Sequence, residues 1–268
     1  MIKASFVLPI KNGSKFIVNT LKTLINQTEK NIEIIVVNDH STDNTLKILK
    51  MIAKEDKRIK ILSNPKNITG EANSRNYGTK FAKGEIILPT DADDPNNLDR
   101  AKISIRELKN NKADIFYGTL EHFYAETGKR ERRFFQPYDA KLLLYIDYIN
   151  HAGASAYLKK CFDKLRGYDP SIEIGTDYDL WLRAQEQNMK FCGKNVVLAQ
   201  YTFHSAQMTA TNIHNRHKWL KLIRKKHSIF NIDIEYIKKK AKPQVIDFFI
   251  KNKYYRKIWF DKNSIPKK

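Results

Sequence analysis

Hydrophobic and polar positions alternate in regular blocks along the first hundred residues. Residues 4–10 are apolar except for Ser5, and residues 32–37 are β-branched except for Glu33; such runs are typical of strands buried on both faces of a parallel sheet. Between them, residues 16–25 carry apolar side chains at helical spacing. The same alternation continues with a helix that begins after residue 43, a strand at 59–62, a helix at 71–81 and a strand at 85–89. This order predicts parallel strands joined by helical crossovers.

The second part of the chain has a less regular pattern. It predicts a helix at 98–109, antiparallel strands at 115–124 and 132–135, a helix at 177–187 and a strand at 196–203. From residue 213 onward only helical segments with Lys clusters follow. We therefore predict an α/β domain over residues 1–212, made of the halves 1–95 and 96–212, and a basic, aromatic helical tail over residues 213–268.

Length and composition exclude several classes of protein. The 268 residues are 41% hydrophobic, which is enough for one large domain with an appendage, and 10 Gly with 8 Pro exclude a collagen-like or low-complexity chain. No apolar run approaches the roughly 20 residues that cross a bilayer, and the first apolar segment is too short for a signal peptide. Two cysteines, Cys161 and Cys192, make no disulfide scaffold. We therefore expect a protein of the reducing cytoplasm.

The net charge of +20 is unevenly distributed. Residues 213–268 contain 17 Lys or Arg and 4 Asp or Glu, a net charge of +13, whereas residues 1–212 carry only +7. Such asymmetry indicates a polyanionic partner, either nucleic acid or an anionic membrane surface. The aromatic residues of the tail are Trp219, Phe230, Phe248, Phe249, Tyr254, Tyr255, Trp259 and Phe260. Aromatic rings among Lys side chains suit a membrane interface; the alternative is a solvated helical cap whose rings pack on the main domain.

Polar residues follow three of the predicted strands, at the point where each strand ends. Residues 11–12 come after the first strand, Asn38-Asp39 after the second, and the run 91–94, Asp-Ala-Asp-Asp, after the fourth. Ligands of open parallel sheets bind at the carboxyl ends of the strands, so we expect these side chains to meet at one rim. The spacing of Asp91 and Asp93 suits one Mg²⁺ or Mn²⁺ ion together with a substrate diphosphate. The alternative is a solvated Asp-rich turn that caps the next helix.

Three further residues are candidates for chemistry, and each has a simpler alternative. Arg75 lies among small residues on a predicted helix and could meet an anion, unless it is an exposed side chain of an amphipathic helix. Asp177, at the start of another predicted helix, could be a general base or only a favourable charge at the helix N-terminus. His204 ends a predicted strand and could bind a metal ion, although a lone His is more often structural.

Taken in this order, the motifs resemble those of the family 2 glycosyltransferases, which have the GT-A fold. The resemblance extends over about residues 5–211, in five segments that keep their register: 7–12, 34–43, 73–78, 91–94 and 177–183. It implies a Rossmann-like, mixed but mostly parallel sheet flanked by helices, with a nucleotide-binding half, 1–95, and an acceptor and catalytic half, 96–212. Two positions depart from the family pattern: Asn38 stands where a second Asp is common, and Thr176 stands where Glu is usual.

The resemblance also implies a role for each matched residue. Asp93, together with His204, would hold a Mn²⁺ or Mg²⁺ ion, and Asp177 would be the catalytic base of an inverting reaction. Asp39 would accept a hydrogen bond from a uracil N–H. The residues expected to bind the nucleotide sugar are Pro9, Asn12, Asp39, Arg75, Asp91 and Ala92.

The function implied by the resemblance is metal-dependent transfer of a sugar from a nucleotide sugar to a glycan hydroxyl. A UDP-sugar is the expected donor, and the expected acceptor is a glycan or lipid-linked glycan of a surface polysaccharide such as lipopolysaccharide or capsule. The enzyme would be peripheral on the inner face of the cytoplasmic membrane, through its contact with anionic lipid at residues 213–268.

Two other classes of function compete with this interpretation. A nucleotidyltransferase that makes a nucleotide sugar would need a Gly-rich basic loop after the first strand, and residues 11–15 are a poor example. A nucleic-acid-binding protein would suit the net charge. The chain has no zinc-finger spacing and no aromatic motif of RNA-binding sheets, so we expect no nucleic-acid partner.

Overall fold

The computed structural model describes residues 2–149, 151–204, 216–260 and 265–266, without the side chains at 217, 253–255 and 258. The predicted boundary near residue 212 lies outside these residues. The strands are β1 (Ala4–Ile10), β2 (Ile32–Asn38), β3 (Ile59–Ser63), β4 (Ile86–Pro89), β5 (Ile115–Tyr124), β6 (Arg130–Arg132), β7 (Ser155–Leu158) and β8 (Phe191–Phe203).

These strands form one mixed sheet in the order β3-β2-β1-β4-β7-β5-β6, and β8 pairs with the other edge of β5. Strands β1 to β4 are parallel to one another, as are β5 and β8. Strand β7 runs antiparallel to both β4 and β5, and β6 runs antiparallel to β5. The predicted mixed, mostly parallel sheet is therefore confirmed. The predicted strand at 132–135 corresponds to β6, which is shorter and begins earlier.

The helices between the strands are α1 (Ile17–Ile25), α2 (Thr45–Glu55), α3 (Glu71–Lys80), α4 (Arg100–Asn111), α5 (Ala140–Tyr145), α6 (Lys159–Lys164) and α7 (Thr176–Glu186). They cover both faces of the sheet. Successive residues of β1 point to opposite faces. Phe6 and Leu8 pack in one apolar cluster with Leu21 of α1, whereas Val7 belongs to a second cluster that contains Trp181 of α7. Burial on both sides explains why β1 and β2 are mostly apolar.

The register of the parallel strands brings their carboxyl ends to the same level. Ile10, the last residue of β1, lies opposite Asn38, the last residue of β2. On the other side of β1, Val7 lies opposite Pro89 at the end of β4. The polar segments that follow these three strands therefore begin side by side, at one rim of the sheet.

Helix α3 packs very close to the sheet because residue 78 is a glycine. A Cβ atom at Gly78 would lie 2.7 Å from Val7 Cγ1 and 2.8 Å from Val37 Cγ2, which is too close for a real methyl group. The close contact brings Arg75, which lies three residues before Gly78 on α3, to the rim of the sheet.

The C-terminal helices are α8 (Arg216–Lys226), α9 (Ile234–Lys240), α10 (Pro243–Ile246) and α11 (Lys253–Phe260), with a π-helical turn, Asp247–Lys251, before α11. Ile223 and Phe249 are buried in the same apolar cluster as Trp181 of α7. The ring of Trp259 packs edge-on against Tyr178 of α7, with 5.6 Å between the ring centroids. These aromatic rings of the tail therefore pack on the main domain.

Lysine side chains make up much of what the tail exposes to solvent. Lys238, Lys239 and Lys240 are all exposed at the end of α9, and Lys221 and Lys225 are exposed on α8. Across the described part of the chain, we find no helix with both the length and the apolar character needed to span a bilayer.

Candidate active site

Arg75 of α3 joins the carboxylates at the rim of the sheet. Its guanidinium forms an ion pair with Asp91, which follows β4, and Nη1 lies 3.4 Å from Oδ1 of Asp177, in the first turn of α7. A third ion pair, of 2.7 Å, links Arg75 to Glu71 one helical turn earlier. Arg75 is only 1% exposed, so it is not the exposed arginine of an amphipathic helix. Arg75 thus connects the segment after β4 with the first turn of α7.

The buried ion pairs separate the pKa values of the three carboxyl groups around Arg75. Burial opposes ionisation of Asp91, but Arg75 and His151 outweigh it and hold the pKa of Asp91 below its usual range. Burial raises the pKa of Glu71 to about 7, against the opposing effect of Arg75. Burial also raises the pKa of Asp177. The rim therefore offers a permanently ionised carboxylate at Asp91 and a more basic one at Asp177.

His151 bridges two carboxylates of the run 91–94. Its Nε2 atom lies 3.2 Å from Asp91 Oδ2 and 3.1 Å from Asp94 Oδ2. The other oxygen of Asp94 accepts a hydrogen bond of 2.8 Å from the backbone N–H of Thr202 in β8. Asp94 and His151 thus fix the acidic run to β8 and to the segment before β7.

Asp91, Asp94 and His151 also have the spacing of a metal site, with ligand atoms within 4.8 Å of one another. The hydrogen-bond pattern argues against that use. The backbone N–H of Gly153 donates to His151 Nδ1 over 2.9 Å, so the ring proton must be on Nε2, where it points at the two carboxylates. A protonated Nε2 cannot coordinate a cation. We therefore assign His151 as a hydrogen-bond donor that orients Asp91 and Asp94.

Asp93 and His204, the predicted metal ligands, lie next to each other. His204 Nε2 is 2.9 Å from Asp93 Oδ2, and its ring stacks on Phe16 with 4.2 Å between centroids. Burial and the negative charge of Asp91 raise the pKa of Asp93. A divalent cation would relieve the repulsion between these carboxylates, and carboxylate oxygen with imidazole nitrogen suits Mn²⁺ in particular. These residues fit the predicted ion.

The residues predicted to bind the nucleotide occupy the ends of β1 and β2. Asp39 accepts hydrogen bonds from Asn64 Nδ2 (2.8 Å), Thr69 Oγ1 (2.9 Å) and the N–H of Gly70 (3.0 Å). Burial raises the pKa of Asp39, but these donors together lower it below its usual value. Asn12 has a φ of 52° and its Oδ1 accepts from the N–H of Thr42 over 2.8 Å, so it ties the loops after the two strands together. Pro9 and Ala92 are half-buried at this same rim.

The buried Arg100 of α4 joins the ends of two strands next to the site, and within the described part of the chain it forms no ion pair with a carboxylate. Its guanidinium donates to the carbonyls of Pro89 (2.7 Å) and Ser155 (3.0 Å), and to Thr90 Oγ1 (2.9 Å). Burial lowers the pKa of Arg100 to about 9. The ends of β4 and the start of β7 are thereby held together, directly beneath the acidic run.

Helix α7, which carries Asp177, is attached to the C-terminal helices through Asp179. This fully buried carboxylate lies 2.7 Å from Lys226 Nζ and 3.0 Å from His227 Nε2, both from the tail, and 2.8 Å from Nε of Arg183. Burial would raise the pKa of Asp179, but His227 and the two cations keep it below the usual range. The tail thus contacts the helix of the predicted base directly.

Three residues of the site were not predicted to act there. Glu71 had a usable signal, because it precedes Arg75 by four residues, the spacing of an ion pair on a helix. Asp94 was visible only as a member of the acidic run. His151 had no signal at all, because the sequence around it has neither a helical nor a strand period.

Comparison with known proteins identifies relatives of this chain. The sequence profile described as "Glycosyl transferase family 2" matches residues 5–166. The glycosyltransferase GlyG of Streptococcus pneumoniae is 33% identical over 46% of this chain, but the match covers only 41% of GlyG. WfaP of Escherichia coli is 29% identical over 86% of this chain and 87% of its own length. Its name is UDP-Glc:alpha-D-GlcNAc-diphosphoundecaprenol beta-1,3-glucosyltransferase.

The solved structure of S. aureus TarS 1–349 in complex with UDP-GlcNAc has the same fold. The TM-score is 0.69 at 17% identity, and the match covers 96% of this chain and 81% of that one. At this identity the likeness concerns the fold alone. The family profile covers more than half of the sequence and includes the strands that form the rim, and on that basis this chain belongs to glycosyl transferase family 2.

Proposed function

We propose that this chain is a metal-dependent, inverting glycosyltransferase that moves a sugar from a UDP-sugar to a hydroxyl of a lipid-linked glycan, in the synthesis of a cell-surface polysaccharide. The observation that carries the proposal is the contact of Arg75 with both Asp91 and Asp177, beside the pair Asp93 and His204. A binding site for an activated donor and a candidate base are joined there by one buried side chain.

The donor nucleotide binds along the ends of β1, β2 and β4. An ionised carboxylate has about four acceptor positions, and the described residues fill three of those of Asp39. The remaining position accepts the N–H of a uracil ring. Pro9 and Asn12 border the same space, and Asp91 with Ala92 faces the ribose.

Asp93 and His204 would hold the divalent ion, which supplies positive charge to the diphosphate leaving group when it is bound. Both side chains are largely buried. They lie at the rim of the sheet next to the end of β4, where ligands of parallel sheets bind.

Asp177 takes the proton of the acceptor hydroxyl while that oxygen forms a bond to the anomeric carbon of the donor. The bond from the anomeric carbon to the diphosphate oxygen breaks, and UDP leaves with the electron pair. Attack from the face opposite the diphosphate converts an α-linked donor into a β-glycoside. The raised pKa of Asp177 favours this role, because a general base works best when its pKa lies near the working pH.

A lipid-linked acceptor is supported by two observations. The name of WfaP specifies a diphosphoundecaprenol-linked acceptor, and that protein aligns with nearly the whole of this chain. The exposed lysines of α8 and α9 provide a basic surface, and each Lys near an anionic membrane contributes about 1 kcal/mol to binding. We place the enzyme on the inner face of the cytoplasmic membrane, held there by charge.

Thermal unfolding with UDP, GDP, dTDP and CMP, each with and without Mn²⁺, tests the donor site. A ligand that binds only the folded state raises the Tm. We expect UDP to raise it most, and Asp93→Ala to lose the part that depends on Mn²⁺. Asp163→Ala, an exposed change on α6, should respond like the wild type. Absence of any shift with all four nucleotides would contradict the proposal.

Transfer assays with a panel of UDP-sugars and alkyl-diphosphate-linked sugars test the reaction. Asp177→Asn should lower kcat by roughly 10²–10⁴-fold, the usual contribution of a general base, while the Kd of UDP stays unchanged. The NMR coupling of the product's anomeric proton should report a β-linkage from an α-linked donor. Full activity of Asp177→Asn, or retention of configuration, would refute the mechanism.

Co-sedimentation with vesicles tests the membrane contact. We expect binding to vesicles that contain phosphatidylglycerol, weaker binding at high salt, and none to pure phosphatidylcholine. Replacing Lys238, Lys239 and Lys240 by Gln should weaken the binding without changing the Tm, because all three side chains are exposed. Equal binding to both kinds of vesicle would contradict a contact based on charge.

A further inference from the structure

The segment between α5 and β7 is fixed to α7 by two hydrogen bonds. Tyr178 Oη donates to the carbonyl of Leu144 over 2.8 Å, and Trp181 Nε1 donates to the carbonyl of Ile149 over 3.0 Å. Asp147 lies between these two carbonyls, so it is held against the first turns of α7. Tyr178 directly follows the candidate base, and the segment therefore places a second carboxyl group near that base.

Asp147 is buried but has no bonding partner among the residues that the structure describes. The residue is 9% exposed, and its Oδ1 atom is buried without any hydrogen bond. Its neighbours Ile146, Tyr148 and Ile149 are all buried. A buried carboxyl group without a donor lowers the stability of the fold, and an amide or an apolar side chain would cost less. Stability therefore does not account for an aspartate at this position.

The charges around Asp147 show which part of the site it faces. Burial and the negative charge of Asp177 raise the pKa of Asp147 to about 7, whereas Arg133, Arg216 and His151 lower it. Asp177 is the candidate base, and none of these four groups follows β1 or β2. Asp147 thus lies on the side of the site where the acceptor is expected.

We propose that Asp147 is a specificity-determining residue that binds the acceptor sugar, by accepting hydrogen bonds from hydroxyl groups next to the one that Asp177 deprotonates. This inference rests on the proposed function. A carboxylate accepts from two neighbouring hydroxyls of a pyranose ring and fills its empty acceptor positions in doing so. A uronic acid or a phosphorylated sugar in the same place would be repelled by both carboxylates. The accepting sugar is therefore neutral and rich in hydroxyl groups.

The test uses the full chain and a panel of alkyl-diphosphate-linked hexoses and N-acetylhexosamines, followed by the monodeoxy analogues of the best acceptor. Asp147→Asn should raise the acceptor KM at least tenfold and leave the KM of the UDP-sugar and the Kd of UDP within twofold. Removing the hydroxyl that Asp147 binds should weaken the wild type and have little further effect on Asp147→Asn. Asp163→Asn, at an exposed site on α6, is the matched control and should change neither KM.

The fold of each variant is checked by its Tm, which Asp147→Asn should keep or raise because it removes an unpaired buried charge. Asp147→Ser serves as a second variant and should behave alike. If Asp147→Asn transfers sugar with an unchanged acceptor KM, this inference alone is overturned. The same holds if every deoxy analogue raises the acceptor KM by the same factor in Asp147→Asn as in the wild type. A loss of donor affinity would also overturn it. Absence of transfer by the wild type with every donor and acceptor would refute the proposed function, and this inference with it.

Discussion

Replacing Arg75 by Met tests how far one buried cation holds the acidic rim together. Met keeps the apolar stem, but Glu71, Asp91 and Asp177 would then face one another without a positive charge. Two unit charges at the 3.4 Å that separates Arg75 from Asp177 interact by roughly 5 kcal/mol at an effective dielectric constant of about 20. Removing one member of a buried ion pair costs about 3–5 kcal/mol. Protonation of Glu71 relieves part of this cost, so we expect a loss of about 3 kcal/mol.

Urea unfolding at pH 7 measures this loss directly, and calorimetry should show a Tm lower by roughly 6–12 °C in a chain of this size. Arg75→Lys should be intermediate, because it keeps the charge but loses the fork that reaches two carboxylates. Arg106→Met is the matched control: Arg106 is an exposed arginine of α4, 3.1 Å from Glu107, and its loss should cost under about 1 kcal/mol. If Arg75→Met unfolds like the wild type, the acidic rim does not depend on this guanidinium and the reasoning is refuted.

Three further changes test other parts of the structure. Burial raises the pKa of Asp147 from its ordinary value to about 7, so the native state binds more protons than the unfolded state between about pH 4 and pH 7. The free energy of unfolding therefore falls by on the order of 4 kcal/mol as the pH rises through this range. The stability gained by Asp147→Asn should therefore be larger at pH 7.5 than at pH 4.5 in urea unfolding, and an equal gain at both would contradict this. Phe249→Ala should cost about 3–5 kcal/mol in one cooperative transition, whereas Phe81→Ala at an exposed site should cost under about 1 kcal/mol; a separate early transition would mean that the tail folds independently. Gly78→Ala places a Cβ atom 2.7 Å from Val7 and should lower the free energy of unfolding by about 1–3 kcal/mol. It should also weaken UDP binding measured by calorimetry. An unchanged stability together with an unchanged Kd of UDP would show that α3 can move away from the sheet freely.

The parallel part of the sheet could be predicted because its physical cause is local. Strands covered by helices on both faces are mostly apolar, and the runs at 4–10 and 32–37, each with one polar residue, follow this pattern. The rim follows from the same pattern, because parallel strands end at one edge. Asp91 was singled out because it follows a strand, and Arg75 and Asp177 were singled out on predicted helices and by the family resemblance; the structure places the three in contact although they are separated by up to 102 positions along the chain.

The region from 125 to 175 could not be predicted, because its structure depends on distant partners. Strand β7 has only four residues, Ser155–Leu158, and gains its stability from pairing with β4 and β5 on either side. The orientation of His151 depends on a backbone N–H two residues away and on carboxylates about sixty positions earlier. No period or composition in the sequence records such contacts. Only the three-dimensional structure brings His151 to the acidic run.

The tail also affects the site through Asp179 of α7. This carboxylate lies on the helix of the candidate base and takes two of its partners from the tail. Asp179 is fully buried, and two of its partners, Lys226 and His227, come from the end of α8 and the residue after it. Without them, only Arg183 would remain to compensate a carboxylate in the apolar interior, two residues from Asp177. A buried charge that loses its partners destabilises its surroundings, and the first turn of α7 is the nearest part. Loss of the contacts from Lys226 and His227 would therefore disturb the turn of α7 that carries Asp177.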